Sequence, residues 1–362
     1  MAYGIITHYD VHNHGALLQL NALVKVLNDK FGIEAQALRF DKNYDFMGRE
    51  KKAKYEISPR SIGIYLRYLS ENGLRKMLYN VRKRRTLERF KAENRLVGEY
   101  YTECGQLDGI IVGSDEVFAL HTGPTPAFFG HALPADKVFA YAGSFGPTTI
   151  DDIERLHCRA LVAGGLKSMT GLAMRDRNSR DIVQELTGRE AEAVCDPVIL
   201  YGYERELAAF KPLDVPPYLL VYAYDRNMNA AEEVAAIKQY ARRRGLKIVS
   251  PGFFHKWADW NVNADPVELL RWFAGAECVV TDTFHGTVMS IITDRDVAVQ
   301  LRGNGNKLQN LLEEYELTDR TVRKWDELPD VLSQAIRHDA VRGEVERRRR
   351  ESMAYLEKMI HA

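Results

Sequence analysis

At 362 residues the chain is longer than a single hydrophobic core usually serves, so two domains are expected, and 46% hydrophobic with 28% charged residues is the composition of an ordinary soluble globular protein. Fifty basic and fifty acidic residues cancel, which gives no reason to expect a nucleic-acid partner. There is no run of about eighteen apolar residues to span a membrane, "MAYGIITHYD" does not read as a signal peptide, and Cys104, Cys158, Cys195 and Cys278 form no CxxC pair. These features point to reduced thiols in the cytoplasm and away from a structural zinc site.

In chain order, "YGIIT" reads as a strand, and "LLQLNALVKVLNDKFG" as a helix with Leu17, Leu20, Leu23, Val24 and Leu27 on one face, stopping at Gly32. "IEAQALRF" is the next strand, so residues 3 to 40 predict a βαβ unit with a parallel pair. From Lys42 to Glu103 the sequence turns helical, aromatic and basic, as an insertion in the sheet domain would. Strands resume in "LDGIIVGSDEVF" and "KVFAYAGSFG", followed by a helix over Asp151 to Ala163, a strand end and helix in "GLAMRDRNSRDIVQELTG", and "AEAVCDPVIL". "FKPLDVPPY", Phe210 to Tyr218, holds three of the twelve prolines and is the linker candidate.

A second alternating set follows. "YLLVYAYD" and "LKIVSPG" are strands around a helix over Ala230 to Arg244. "DPVELLRWFAGA" is a helix, "VVTDTFHGTVMSIIT" a strand running into a helix, "DVAVQL" a strand and "KLQNLLEEYEL" a helix. The expected fold is α/β, with two Rossmann-like domains facing a central cleft. The first covers 1–210 with its helical basic insertion at 42–103, the second 218–324, and a helical segment 325–362 packs back on the first. No repeat period appears.

The informative polar clusters all fall at carboxyl ends of strands, where ligands bind in open α/β sheets. In "THYDVHNHGALLQ", His8, His12 and His14 lack metal-ligand spacing, and Asn13 and Gly15 bring backbone to a ligand or simply shape a tight turn. Ser114, Asp115 and Glu116 of "VGSDEVF" suit hydroxyl recognition, although capping explains one of them. Gly143, Ser144 and Gly146 of "YAGSFG" allow close backbone approach by a ligand or by the other domain. Arg175 and Arg177, with Ser179 at a helix start, form a two-pronged anion clamp or a solvated basic turn.

The last cluster holds Thr281, Thr283, His285, Gly286 and Thr287, where helix N–H groups favour an anion and Lys307 reaches the same edge. A histidine beside a bound anion works near neutral pH as acid or base; a capped turn with a satisfied histidine is the plain alternative. No GxGxxG or GxxxxGK[ST] occurs, which takes most of the support from nucleotide-dependent phosphoryl transfer of the familiar kinds.

Taken together, "NHGALLQ", "VGSDEVF", "YAGSFG", "MRDRNS", "CDPVIL", "TDTFHGTVMSII" and "NKLQNLLEEYEL", in that order, resemble the polysaccharide pyruvyl transferase family from about residue 4 to residue 320. The resemblance implies a glycosyltransferase B-type fold and transfer of a pyruvyl group from phosphoenolpyruvate to two sugar hydroxyls as a cyclic ketal, with no metal and no cofactor. His285 matches the motif histidine and is expected to be the acid. Arg175 and Lys307 would hold the donor, together with Thr281, Thr283 and the Gly286 and Thr287 amides. Asn13, Gly15, Ser114, Asp115, Glu116 and Ser144 would face the acceptor, a sugar or lipid-linked oligosaccharide in surface polysaccharide synthesis.

Two positions depart from the family. Thr283 stands where some members carry arginine, so the donor clamp comes from elsewhere or the donor differs. Glu116 and Phe118 stand where many relatives have glutamine and tryptophan. A nucleotide-sugar glycosyltransferase of the same fold, and a non-catalytic carbohydrate-binding protein, are the alternatives.

Between Lys42 and Arg95, sixteen Lys and Arg face six Asp and Glu, a surplus of ten in a neutral chain. Tyr65, Leu66, Tyr68, Leu69, Leu74, Met77, Leu78 and Tyr79 are interleaved with them. Residues 42–95 therefore read either as a packed helical pair with a solvated basic face or as a peripheral contact with anionic membrane at its inner face.

Overall fold

The buried, unbroken apolar runs Gly109–Val112, Tyr218–Tyr222 and Cys278–Thr281 are the central strands of two parallel sheets, covered on both faces as parallel sheets require. The computed structural model describes residues 1–43, 58–303 and 306–361. In the first sheet β1 (Ala2–Ile6), β2 (Glu34–Arg39), β3 (Val97–Tyr100), β4 (Gly109–Val112) and β5 (Val138–Ala140) lie in the order β3-β2-β1-β4-β5. The pair β6 (Ala173–Met174) and β7 (Glu192–Ala193) continues it through the bridges Phe139 to Gly171 and Gly143 to Met174. The second sheet repeats the topology with β8 (Tyr218–Tyr222), β9 (Lys247–Pro251), β10 (Trp260–Val262), β11 (Cys278–Thr281) and β12 (Val297–Val299), ordered β10-β9-β8-β11-β12. The fold is thus α/β with two Rossmann-like domains, as the alternating pattern predicts.

Three boundaries differ from expectation. The insertion does not run to Glu103: the helix Pro59–Glu93 ends first, and Val97–Tyr100 joins the sheet as its edge strand β3. Four residues after a long helix, three half-buried and Glu99 exposed, carry too little alternation to announce a strand. The single helix expected over Asp151 to Ala163 is two, Ile150–Arg155 and Arg159–Ser168, with His157 at φ 53 between them. Residues 44–57 of the predicted insertion lie outside the described residues, as do the side chains of Arg60, Tyr65, Tyr68 and Leu69.

The expected terminal segment 325–362 also divides. Leu328, Val331 and Leu332 belong to the core of the second domain. Only the helix His338–His361 crosses back to the first domain, where Tyr355 Oη donates to the Ala140 carbonyl at 2.8 Å and Lys137 Nζ to Ile360 O at 3.0 Å. Leu356 on this helix is fully buried.

One hydrophobic cluster runs through both domains. Leu17, Leu20 and Leu23 of the first helix, His14–Phe31, share it with Leu269, Leu270, Val288 and Met289 of the second domain. His14 starts that helix and donates from Nε2 to Ala264 O across the domain boundary at 2.9 Å. Its Nδ1 is buried with no protein acceptor, so a second ring proton has nowhere to go. Burial, and then Lys83, push the imidazole down to about 3, against the pull of the Ala264 carbonyl.

Leu356→Ala is expected to destabilise the protein by about 2–5 kcal/mol, the range for opening a cavity at a buried leucine, read from the denaturation midpoint. A change below about 0.5 kcal/mol would show that the terminal helix is not part of the folded unit. His14 provides a pH test. Its folded-state value lies below the unfolded one of about 6.5, so its contribution is complete above that pH and is lost on acidification. On the order of 2 kcal/mol is gone at pH 5, and His14→Gln, which keeps an N–H for Ala264, is expected to lose that much less between pH 7 and pH 5. Equal losses in both proteins would rule out His14 as the acid-sensitive contact.

Candidate active site

β1, β4, β5 and β6 of the first sheet and β8, β11 and β12 of the second end at the boundary between the domains. There the helix Phe284–Ile292 begins, capped by Thr283, whose Oγ1 accepts from Gly286 N at 2.9 Å. Thr281 Oγ1 donates to Tyr222 O at 2.6 Å and accepts from Thr283 N at 3.1 Å, and Thr287 N donates to Thr283 O at 3.2 Å. A Cβ on Gly286 would lie 2.2 Å from Thr281 Oγ1, so glycine is required by this packing. These contacts correct the expected donor-binding role of Thr281, Thr283, Gly286 and Thr287: their hydroxyls and the two amides are used inside the strand-to-helix junction. The first-turn amides outside the cap are those of Phe284 and His285.

His285 is the second residue of this helix, its side chain 11% exposed. Gly15 presses on the ring from the first domain, and a Cβ there would sit 2.4 Å from Cγ and 2.5 Å from Nδ1. His285 Nε2 lies 3.7 Å from Asp196 Oδ2. Burial lowers the imidazole, Asp196 and Asp115 draw it up, and Arg175 and Lys307 push it down again; the net direction is down. At neutral pH the ring is a buried neutral group between two carboxylates.

Beneath it Arg175 is 5% exposed. Its Nη1 donates to Asp196 Oδ2 at 2.8 Å and its Nη2 to Asp115 Oδ1 at 2.7 Å, with the guanidinium 4.2 Å over the Phe284 ring. Arg175 is therefore not the open donor clamp that the sequence suggested. Both prongs hold carboxylates, one at each of two strand ends. Burial raises the Asp115 carboxyl, but Arg175, then His285, outweigh it and hold it far below the usual range. Asp115 has a left-handed backbone, φ 75, a conformation that non-glycine residues keep mainly where surroundings impose it.

Glu116 forms an ion pair across the domain boundary with Lys307, on the helix Asn306–Glu314. Lys307 Nζ also lies 5.9 Å from the centre of the Phe284 ring. Both side chains of the pair keep about a fifth of their surface exposed, Glu116 20% and Lys307 23%, so the pair borders the open cleft. Tyr224, 43% exposed beyond β8, stands edge-on to Phe253 at 5.3 Å and in the field of Asp115 and Glu116. Asp115 and Glu116 thus each have a cationic partner, Arg175 and Lys307.

The remaining expected residues divide. Asn13 caps the first helix through Gly15 N at 2.8 Å and contacts Tyr224. Ser114 and Ser144 are fully buried: Ser114 Oγ donates to Gln19 Oε1, and Ser144 Oγ accepts from Gly146 N at 2.9 Å. Both are corrected from acceptor contacts to loop supports. Ser179 does not start its helix; Asp176 caps it, accepting from Ser179 N at 2.9 Å. The histidines of the first loop face separate partners, His8 the Glu116 carbonyl, His12 Glu88 and His14 Ala264.

Asp196, Tyr224 and Phe284 were not singled out from sequence. Asp196 precedes a proline and caps Pro197–Tyr201, so it reads as a helix start, and only the fold sets its other oxygen between Arg175 and His285.

Comparison with solved structures agrees with this architecture. UDP-GlcNAc 2-epimerase of Methanocaldococcus jannaschii, in complex with UDP-GlcNAc and UDP, is 12% identical with a TM-score of 0.51 over 96% of this chain and 99% of that one. The UDP-N-acetylglucosamine 2-epimerase of Rickettsia bellii is 8% identical with a TM-score of 0.53, covering 98% and 95%. UGT89C1 of Arabidopsis thaliana, complexed with UDP-L-rhamnose, is 9% identical with a TM-score of 0.50, covering 98% and 93%. At such identities the likeness establishes the glycosyltransferase B-type fold alone. No curated protein matches by sequence. The family model for polysaccharide pyruvyl transferase matches residues 13–297, which include Asn13, Asp115, Glu116, Arg175, Asp196 and His285, and the chain belongs to that family of transferases.

Proposed function

We propose that the protein transfers a pyruvyl group from phosphoenolpyruvate to two hydroxyls of a sugar, forming a cyclic ketal, with His285 as the acid. The observation that carries this reading is a neutral imidazole at a helix N-terminus in the domain cleft, set between Asp196 and Asp115 and beside Lys307. The donor phosphate meets the Phe284 and His285 amides and Lys307, which exchanges Glu116 for it. A phosphate dianion next to His285 favours the imidazolium, and the unliganded neutral ring becomes an acid when the donor binds.

The imidazolium gives its proton to the methylene carbon of the enol, making a methyl group and leaving an oxocarbenium-like centre at the neighbouring carbon. The first sugar hydroxyl adds there, and its proton passes to Glu116, released from Lys307. The bond to phosphate oxygen then breaks, and inorganic phosphate leaves with the proton from Glu116. The second hydroxyl closes the ketal and returns a proton to His285. Tyr224, an exposed ring among carboxylates, suits the face of a sugar. The acceptor in this reading is a sugar or lipid-linked oligosaccharide met in the cytoplasm or at the inner face of the membrane. Among the described residues no helix is long and apolar enough to cross a membrane.

Incubation with phosphoenolpyruvate and a panel of sugar diols, followed by phosphate release and mass analysis of the ketal, tests the reading. Stabilisation by UDP-sugars and not by phosphoenolpyruvate in a melting curve would replace it with nucleotide-sugar transfer. His285→Ala is expected to lower turnover about 10²- to 10⁴-fold with the fold intact. Near-normal phosphate release from the folded variant removes the ring from the chemistry. Gly15→Ala is expected to displace the same ring and cost on the order of 10²-fold in kcat, since misplacement by about 1 Å has that effect. An unchanged kcat would mean that the ring position set by Gly15 is irrelevant to turnover.

A further inference from the structure

The helix Pro59–Glu93 breaks at Gly73 (φ 75, ψ 163), and the part beyond it has two unlike faces. The inner face is fixed to both domains. Tyr79 Oη donates to Val262 O at 2.9 Å, Lys83 lies 4.3 Å over the Phe253 ring, Lys76 pairs with Asp225 at 3.5 Å, and Leu87 and Phe90 enter the shared core. These positions cluster about one side at 100° per residue. On the opposite side stand Leu74, Leu78 and Val81, exposed by 59%, 47% and 44%. Exposed arginines Arg75, Arg82, Arg85 and Arg89 surround them. Of the outward acids, Glu88 is occupied by Lys91 at 2.9 Å and His12 at 3.0 Å, and Glu93 stands 3.9 Å from Arg89, both of them exposed.

A helix held only by its inner face has no folding reason to carry large apolar residues on its outer one. Before the break, Ile62 and Leu66 are also exposed, by 60% and 63%. Apolar side chains set among arginines match the boundary between headgroups and acyl chains, where leucine buries and arginine meets lipid phosphate. A nucleic-acid backbone would leave the leucines in water. Asp225, the partner of Lys76 on the inner face, follows directly on Tyr224 at the cleft, so the helix that carries the outer face lies beside the site entrance.

We propose that the outer face formed by Leu74, Leu78, Val81, Arg75, Arg82, Arg85 and Arg89 docks the protein on an anionic lipid bilayer and sets the cleft beside its surface. Lys83, counted by sequence among the basic residues of this stretch, takes no part, because it is 8% exposed and packed on Phe253.

The test is co-sedimentation with vesicles of equal parts phosphatidylglycerol and phosphatidylcholine, and with phosphatidylcholine alone, at low and high salt. It requires no turnover, so its outcome is separate from that of the pyruvyl-transfer reading. Wild type is expected to bind the anionic vesicles at low salt and to weaken with salt, as screening requires. Each arginine near the surface contributes about fivefold to partitioning, so Arg82→Gln, Arg85→Gln and Arg89→Gln together are expected to cost roughly 10²-fold. Leu74→Gln, Leu78→Gln and Val81→Gln, with helix propensity retained, are expected to abolish binding while the melting curve stays within a few degrees. The proposal falls if wild type ignores anionic vesicles at low salt or if either variant binds as well as wild type. It also falls if the charge variant loses binding to a DNA duplex that the apolar variant keeps, or if the apolar variant turns a wild-type dimer into a monomer in sedimentation velocity.

Discussion

Arg175 is the tie on which the site depends. One guanidinium joins the loop after β4, through Asp115, to the helix start after β7, through Asp196, and its flat face lies on Phe284 of the other domain. Three segments far apart in sequence are fixed relative to His285 by this group. A buried ion pair gains little over a well-packed apolar substitute, but removing one partner leaves uncompensated charge and costs about 3–5 kcal/mol. Here that removal would strand two carboxylates. Lysine at position 175 would keep the charge yet lose the fork that reaches both.

The triad of Arg175, Asp115 and Asp196 carries one net negative charge, and His285 is the titratable group placed to balance it. Burial opposes that balance and presently wins. Added negative charge nearby moves the ring toward the imidazolium, as for any histidine held between desolvation and carboxylates. The domains also do not behave as two bodies on a loose linker. A hydrophobic cluster common to both, His14 bound to Ala264, and the returning helix His338–His361 constrain how far the cleft can open.

The two-domain α/β fold was legible because parallel strands buried on both faces leave long apolar runs, and nearly every predicted strand is present. What failed were elements without such a signal: the four-residue edge strand β3, the three-residue β10, and the break at His157. The site was legible in its location but less so in its wiring. His285, Asp115, Glu116, Lys307 and Gly15 do converge. Yet the sequence could not show that Thr283 spends its hydroxyl on Gly286, or that the prongs of Arg175 are filled by Asp115 and Asp196. A residue type advertises what it can bind, not what already binds it. Asp196 is the converse case, a helix-capping aspartate whose second oxygen is available to the site only through the fold.

That pairing governs what the cleft can select. Lys307 and Arg175, the two cations that act on the His285 ring, are both held by carboxylates. An anion that binds either one must exchange with a carboxylate, and its affinity reflects the difference between the two contacts. Exchange at Arg175 is costly, because its carboxylates are buried and would be left without a partner. Exchange at Lys307 is mild, because Glu116 is partly exposed and can turn to water. The glutamate displaced is then a free base at the cleft edge, present only while an anion occupies its place. In the proposed reaction Lys307 is thus where an incoming anion is most readily admitted, and Arg175 is where the geometry around His285 is kept.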